Sequence, residues 1–307
     1  MKKIDVCIPA RNEERTIGLT LDSFLCSDFD GEVNVLVCAN DCRDGTEDVI
    51  KGYMEKYPNV RLITTKERGK PNAWNLLRRN ANSRIIYFSD ADVVVEREAI
   101  RHLYDNLVGN KSLVGVGAMV VPYFDDSDFL TRLVTTHTSV YQGCLPGALY
   151  AVDNAKLSDR LKFHGLEEMP KDVICDDGWI TGVIGPGGWI INPRAKVHYR
   201  PCSWRESSRV NIRFNQGIDQ LKLEYPKIWD DLWKGSYMGD GNESVFMKRV
   251  HKLISIEGFG GKIHFLAGFL LRRAVGYYAR MKFHEGSEKA KEKWQVSYDS
   301  KEPIILH

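Results

Sequence analysis

The sequence predicts an α/β fold, a mostly parallel sheet with flanking helices, followed by a helical C-terminal extension. Three observations carry that prediction. Through the first 121 residues, apolar runs of strand length alternate with amphipathic stretches of helical period. Each early strand runs into a polar loop, as in parallel sheets that bind ligands beyond the carboxyl ends of their strands. After Tyr225-Pro226 the composition shifts to Trp, Lys and Phe with helical spacing.

The elements follow in order. Lys3 to Ala10 reads as a buried strand and Arg15 to Leu25 as an amphipathic helix. Glu32 to Ala39 is a second strand, and Thr46 to Tyr57 a helix stopped by Pro58. Val60 to Thr65 is a third strand. Pro71 to Asn80 is a helix with proline at its start, where the missing N–H costs nothing. Arg84 to Ser89 is a fourth strand, Glu96 to Val108 a helix, and Leu113 to Val121 a fifth strand of the parallel sheet. Asp126 to Tyr141 is helical and Gly147 to Val152 a strand. Val173 to Ile184 contains a helix starting near Asp176 and Asp177. Trp189 to Ile191 and Ala195 to Tyr199 are two short strands, and Ser203 to Leu223 is a long helix. Helical stretches near 244–256 and 262–283 follow, with a charged tail from Glu285. The boundaries expected are a first domain over 1–225 and a helical region over 226–307.

Composition excludes several classes. The 43 Lys and Arg nearly balance 41 Asp and Glu, for a net charge of +2 over 307 residues. A protein that lives on nucleic-acid phosphates carries a much larger basic excess, so no nucleic-acid partner is expected. The seven cysteines include no CxxC pair, which argues against structural zinc and a disulfide framework. Reduced thiols and the short apolar run before Arg11 predict a cytoplasmic protein. The longest apolar run, Ile263 to Leu271, falls well short of the roughly twenty residues a membrane span needs.

The chemistry-bearing residues sit in the loops after the strands. Tyr87-Phe88-Ser89-Asp90-Ala91-Asp92 ends a buried strand in two acids one residue apart. Such a pair can place one carboxylate near a sugar or ribose hydroxyl and the other on Mg²⁺, which takes one or two protein carboxylates plus substrate phosphates. Ile8-Pro9-Ala10-Arg11-Asn12-Glu13-Glu14 precedes a helix N-terminus and can hold a nucleotide or simply cap the helix. Cys38-Ala39-Asn40-Asp41-Cys42-Arg43-Asp44-Gly45-Thr46 forms a second polar loop. In Arg68-Gly69-Lys70-Pro71-Asn72-Ala73-Trp74-Asn75, Lys70 either meets a phosphate or lies on solvated surface.

Together these loops resemble glycosyltransferase family 2, the nucleotide-sugar-dependent, inverting enzymes of GT-A fold. The shared pattern is a Pro-x-x-Asn-Glu start, a loop ending Asp-Gly-Thr, a Gly-Lys-x-x-Ala-x-Asn stretch and the DxD, in that order. Gly147-Ala148-Leu149-Tyr150-Ala151-Val152 resembles the family's sugar-pocket strand, and Asp176-Asp177 its Glu-Asp pair, so the likeness covers about residues 1–217. The resemblance implies that Asn40 contacts the base, with Pro9, Arg11 and Glu13 lining that pocket. Asp90 and Ala91 then lie near the ribose and Asp92 ligates Mg²⁺ or Mn²⁺. Lys70, Gly147 and Asp176 join the nucleotide-sugar site. It also implies that Asp177 is the general base, with Asp176 the competing assignment. Ala39 stands where the family usually has an acid, so base recognition rests on Asn40, and both UDP and GDP donors remain open. The Gln-x-x-Arg-Trp signature of processive members is degenerate here, as Arg209-Val210-Asn211-Ile212-Arg213-Phe214, which favours transfer of one sugar.

Further residues carry two readings. His198 is a metal ligand or a structural histidine. Arg209 and Arg213, one helical turn apart, neutralise a diphosphate or form a solvated face. The stretch 262–293 carries eight Lys or Arg against three Glu, a net of +5. Within it, 262–283 is a basic amphipathic helix of the kind that lies in a membrane interface. The reading is a metal-dependent inverting glycosyltransferase, cytoplasmic or on the inner face of the cell membrane. It moves one sugar to an acceptor hydroxyl on a lipid or lipid-linked saccharide. The alternatives are a sugar-phosphate nucleotidyltransferase, whose Gly-rich first loop is missing here, and a non-catalytic scaffold binding membranes or partners.

Overall fold

The computed structural model describes residues 2–124, 129–136 and 143–237. The expected α/β architecture is present. The chain runs β1 (Lys3–Ala10), α1 (Ile17–Leu25), β2 (Glu32–Asn40), α2 (Thr46–Lys56), β3 (Val60–Thr65), α3 (Lys70–Asn80), β4 (Ile85–Ser89), β5 (Val93–Val95) and α4 (Ala99–Gly109). It continues through β6 (Gly115–Pro122), α5 (Phe129–Thr136), β7 (Leu149–Asp153), α6 (Asn154–Phe163), α7 (Asp176–Ile184), β8 (Trp189–Tyr199), α8 (Trp204–Glu224) and α9 (Pro226–Tyr237).

The strands form one sheet in the order β3-β2-β1-β4-β7-β6-β8-β5. β3, β2, β1 and β4 are mutually parallel. β4 and most of β1 and β2 read as apolar runs because both faces are covered, whereas β3, at the sheet edge, is partly exposed. Alternate residues of β1 divide between two cores: Ile4, Val6 and Ile8 pack with α1, α2 and α4, while Cys7 faces Trp74, Leu77 and Trp179 on the other side.

Several elements depart from the sequence reading. The fifth predicted strand, β6, does not extend the parallel sheet beside β4. β7 intervenes, antiparallel to both. Residues 93–95, a run too short for periodicity to reveal, form β5, which crosses to the far edge and pairs antiparallel with β8. The two strands expected at 189–199 are one, with an irregularity where the partners of Ala118 and Met119 jump from Asn192 to Lys196. Pro193, which has no N–H to give, lies in that gap. α1 starts at Ile17 rather than Arg15, because Glu13 O accepts the amides of both Thr16 and Ile17 and closes a turn there. α9 opens the region expected to be helical, at a position where no particular helix was placed, with Pro226 as its first residue. It packs on α7 and buries Ile228 and Leu232.

Among the described residues no helix is long and apolar enough to cross a membrane. The basic stretch 262–283, the helix predicted at 244–256 and parts of the predicted 126–141 helix lie outside the described residues.

Candidate active site

The site gathers at the carboxyl ends of β1, β2 and β4. The loops after β1 and β2 are stitched together by side chain to backbone bonds. Glu13 N donates to Thr46 Oγ1 (2.7 Å), Arg43 N to Asn12 Oδ1 (2.8 Å) and Gly45 N to Glu14 Oε2 (2.8 Å). Asn12 and Asp41 both take positive φ, 56° and 52°. Asn and Asp tolerate that left-handed conformation better than most residues, and such backbone clusters at functional sites.

Asn40, 3% exposed, closes β2 at this edge. Its Nδ2 donates to Gly69 O (2.7 Å), tying β2 to the start of α3. Its Oδ1 is buried with no hydrogen-bond partner, as is Arg11 Nε. Unpaired buried polar atoms are rare in folded proteins. One acceptor and one donor of this kind lie at the end of β2 and in the loop after β1. Pro9 lies half-buried at the end of β1. Glu13, 6% exposed, accepts the Thr16 hydroxyl (2.9 Å) and holds the loop rather than reaching outward.

Asp90 and Asp92 follow β4. Ala91 between them is buried, and its carbonyl lies 3.0 Å from the Thr20 hydroxyl of α1, which fixes the turn. Antiparallel pairing of β4 with β7 brings Ala148 and Gly147 alongside. Ser89 Oγ and Asp90 N both donate to Ala148 O. A Cβ on Gly147 would stand 3.2 Å from Lys70 Nζ and 3.6 Å from Asp90 Oδ2, so this position is kept clear.

Lys70 joins the two halves of the site. Its ammonium is 2.8 Å from Asp90 Oδ1 and 2.8 Å from Asp176 Oδ2. A lysine in the first turn of a helix has the wrong sign for the helix dipole, so local helix energetics do not explain it; the two carboxylates do. Burial alone would pull its pKa down, yet Asp176 and Asp90 outweigh that and hold it well above the ordinary value. Below the pair lies an aromatic stack of Trp74, Phe88 and Tyr150, with Trp74 Nε1 donating to Tyr150 Oη (2.8 Å).

The Asp-Asp pair opens α7. Asp176 is turned to Lys70. Asp177 is turned elsewhere: its Oδ1 accepts from Gly178 N (2.8 Å) and from the Cys175 thiol (3.2 Å). Burial, then the adjacent Asp176 charge, raises the Asp177 pKa. Asp92 is pushed up to about 7 by burial and by Asp90. Acids whose environments favour protonation suit proton transfer or await a cation.

The donor set can be tested against a divalent ion. Among the described residues no three His, Cys, Asp or Glu side chains form a ready-made metal cage. Two neighbouring carboxylates, one of them disfavoured as an anion when no cation is near, match the sparse protein ligation of Mg²⁺ or Mn²⁺ when phosphates supply the rest. His198 Nε2 is 3.0 Å from Glu96 Oε1, so this ring already has an acidic partner. Arg209 and Arg213 sit on exposed faces of α8. Trp179 is fully buried core.

Sequence reasoning missed Cys175. Cys175 immediately precedes the Asp-Asp pair, and that adjacency was its available signal. Tyr150 lies on the strand expected to resemble the sugar pocket, and β7 pairing stacks it on Phe88.

The family model for "Glycosyl transferase family 2" matches residues 5–160. A probable glycosyltransferase, YdaM, of Bacillus subtilis (strain 168) is 26% identical over 152 residues, 48% of this chain and 36% of that protein. The poly(ribitol-phosphate) beta-glucosyltransferase of Bacillus spizizenii is 31% identical over 120 residues, 38% of this chain and 19% of that protein. The matched region is thus about a third or less of each curated relative's length. Among solved structures, the mannosyltransferase PcManGT from Pyrobaculum calidifontis, in complex with GDP-Man and Mn²⁺, superposes with a TM-score of 0.58 at 20% identity, over 94% of this chain and 81% of that one. Residues 1–349 of TarS from S. aureus, in complex with UDP, give 0.51 at 13% identity over 92% of both chains. These likenesses show the fold. With its family model spanning the loops after β1 to β4 and its sheet shared with such enzymes, the chain has the GT-A fold and belongs to glycosyl transferase family 2.

Proposed function

We propose that this glycosyltransferase moves a single sugar from a nucleoside-diphosphate sugar to an acceptor hydroxyl, with inversion at the anomeric carbon and with Mg²⁺ or Mn²⁺. The observation that carries the reading is the Lys70 bridge. Through it the DxD loop and the Asp176-Asp177 helix start, 86 residues apart between Asp90 and Asp176, face one another across a single ammonium.

The roles divide by position. Asn40, Arg11 and Pro9 receive the base, and the unpaired Asn40 Oδ1 and Arg11 Nε supply its polar contacts. Asp90 serves the ribose side. Asp92 holds the divalent ion, which when bound offsets the negative charge developing on the departing diphosphate. Lys70 adds a fixed cation beside it. Asp177 accepts the proton of the acceptor hydroxyl as its oxygen attacks the anomeric carbon and the bond to the diphosphate breaks. Entry from the face opposite the leaving group inverts that carbon. A positioned base typically contributes 10²–10⁴-fold. Asp177 is favoured over Asp176 because the Lys70 ammonium already claims Asp176.

PcManGT in complex with GDP-Man and Mn²⁺, and TarS in complex with UDP, support a nucleotide-sugar donor and leave UDP and GDP as the two candidate nucleotides. The basic amphipathic stretch 262–283 supports an acceptor presented at a membrane surface, a lipid or lipid-linked saccharide. The experiment is a thermal-shift series with UDP, GDP and CDP, each with and without Mn²⁺. One nucleotide should raise the melting temperature, and more so with Mn²⁺, because binding to the native state stabilises it by mass action. No shift with any nucleotide would defeat the reading.

A further inference from the structure

Asp177 needs one carboxylate oxygen free and correctly aimed, and the structure shows how the other is occupied. Gly178 N–H and the Cys175 thiol both donate to Oδ1, at 2.8 and 3.2 Å. Two donors on one oxygen fix the carboxylate plane and leave Oδ2 for a proton. We propose that Cys175 is the positioning residue of the general base, its thiol anchoring Asp177 Oδ1 so that Oδ2 meets the acceptor hydroxyl. This rests on the reading of Asp177 as the base.

The thiol is itself fixed in place. Cys175 is 7% exposed, and its carbonyl accepts the Trp179 amide (2.9 Å) as α7 begins. Two glycines wall it in. A Cβ on Gly217 of α8 would stand 2.5 Å from Cys175 Cβ, and one on Gly178 would stand 2.8 Å from its sulfur. Real Cβ atoms do not approach so closely, so α8 seats on Cys175 only because position 217 is glycine. Burial, then Asp177, pushes the Cys175 thiol well up, so it stays protonated and donates rather than becoming a second anion beside the base. A thiol is a weak donor: it orients the carboxylate while lowering its basicity less than a hydroxyl would. The charged or titratable groups that bear on Asp177 are Asp176 next to it, Lys70 of α3, Cys175, Cys144 and Tyr150 of β7.

The test is a carbon-13 carboxyl NMR titration of aspartate-labelled protein, full chain, with Asp177→Asn used to assign the Asp177 signal. It is repeated for Cys175→Ala and Cys175→Ser. Losing a hydrogen bond to the charged form makes a carboxylate easier to protonate. Cys175→Ala should therefore move the Asp177 midpoint upward by roughly half a pH unit, the scale of one weak hydrogen bond. Cys175→Ser should hold it at or below the wild-type value. An unmoved midpoint in Cys175→Ala, or the same upward shift in both variants, would overturn the proposal, since packing alone would then explain the residue. The base reading is tested separately, by release of nucleoside diphosphate from UDP-N-acetylglucosamine and GDP-mannose. Asp177→Asn with undiminished release defeats that reading whatever the titration shows.

Discussion

Lys70 and Asp176 meet with 2.8 Å between ammonium and carboxylate, and this contact spans from the start of α3 to the start of α7. The same ammonium holds Asp90. Replacing it by Met leaves two acids facing each other with their cation removed. Breaking a fully buried pair costs about 3–5 kcal/mol. Here the side chains keep between 21% and 34% exposure, so solvent screening reduces the expected loss to about 2 kcal/mol. Lys70→Met should unfold at lower denaturant concentration at pH 7.5 and lose most of its turnover, whereas Lys70→Arg should recover the stability better than the rate. Equilibrium denaturation alongside steady-state kinetics checks both.

The two acids of the pair are predicted to separate kinetically. Asp177→Asn keeps the shape and the contact to Gly178 N but cannot take a proton, so kcat should fall by about 10²–10⁴-fold while nucleotide affinity holds. Asp176→Asn weakens the grip on Lys70, and its larger effect should fall on the donor KM. The reverse pattern would make Asp176 the base. Once a turnover assay is in hand, the split between kcat and KM in the two variants decides the matter.

Much of this site was legible because its residues lie next to strand ends, where a parallel sheet exposes its loops. Asn40, Asp90 and Asp92 are found by reading to the end of an apolar run. What could not be read is what arrives from the other direction. Gly147 was expected at the site only through the family likeness; it gets there because β7 inserts antiparallel between β4 and β6, and sequence order gives no hint of that insertion. Glu96 meets His198 because a three-residue strand crosses to the sheet edge. The metal reading of His198 rested on what a neutral imidazole can ligate, and that chemistry does not reveal a neighbouring carboxylate. The unbroken run of Leu113 to Val121 fits a strand in either direction, which is why its place beside β7 rather than β4 was not foreseen.

Gly147 should be intolerant of a side chain for reasons of ligand space rather than folding. An added Cβ meets Lys70 Nζ at 3.2 Å and Asp90 Oδ2 at 3.6 Å, both ends of side chains that can shift slightly. Gly147→Val fills the volume between them and should raise the donor KM at least tenfold, with a melting temperature close to that of the parent. Isothermal titration with the nucleotide that stabilises the protein, set beside a melting curve, checks this. A large loss of stability instead would show that the glycine serves β7.

Asn40→Asp probes the nucleotide end. The amide Nδ2 donates to Gly69 O at 2.7 Å, and a carboxylate in its place sets two acceptors against each other. Leaving a buried acceptor unsatisfied costs about 1–3 kcal/mol. The variant should therefore be less stable, and the loss should shrink below pH 5 as the new acid protonates and regains a donor. Denaturant midpoints at pH 4.5 and 7.5 read the difference directly.

The pH dependence of stability should itself reveal Asp92. Its pKa is raised from 3.8 to about 7 by burial and by Asp90, so between those values the folded protein binds a proton that the unfolded chain has released. Stability rises with pH only where the unfolded state binds more protons; here the sign is opposite. The contribution is full below the unfolded value and is lost as pH rises through about 7. In the absence of divalent ions the melting temperature should thus decline from pH 5 to pH 8, and Asp92→Asn, which never ionises, should flatten that decline. Adding Mn²⁺ at pH 8 should restore stability to the parent and leave Asp92→Asn unchanged, because an ion held by the charged carboxylate offsets the cost of ionising it. A parent curve flat across this range without Mn²⁺ would mean that Asp92 is ionised throughout, and an equal gain from Mn²⁺ in the parent and in Asp92→Asn would mean that Asp92 is not the group that holds the ion.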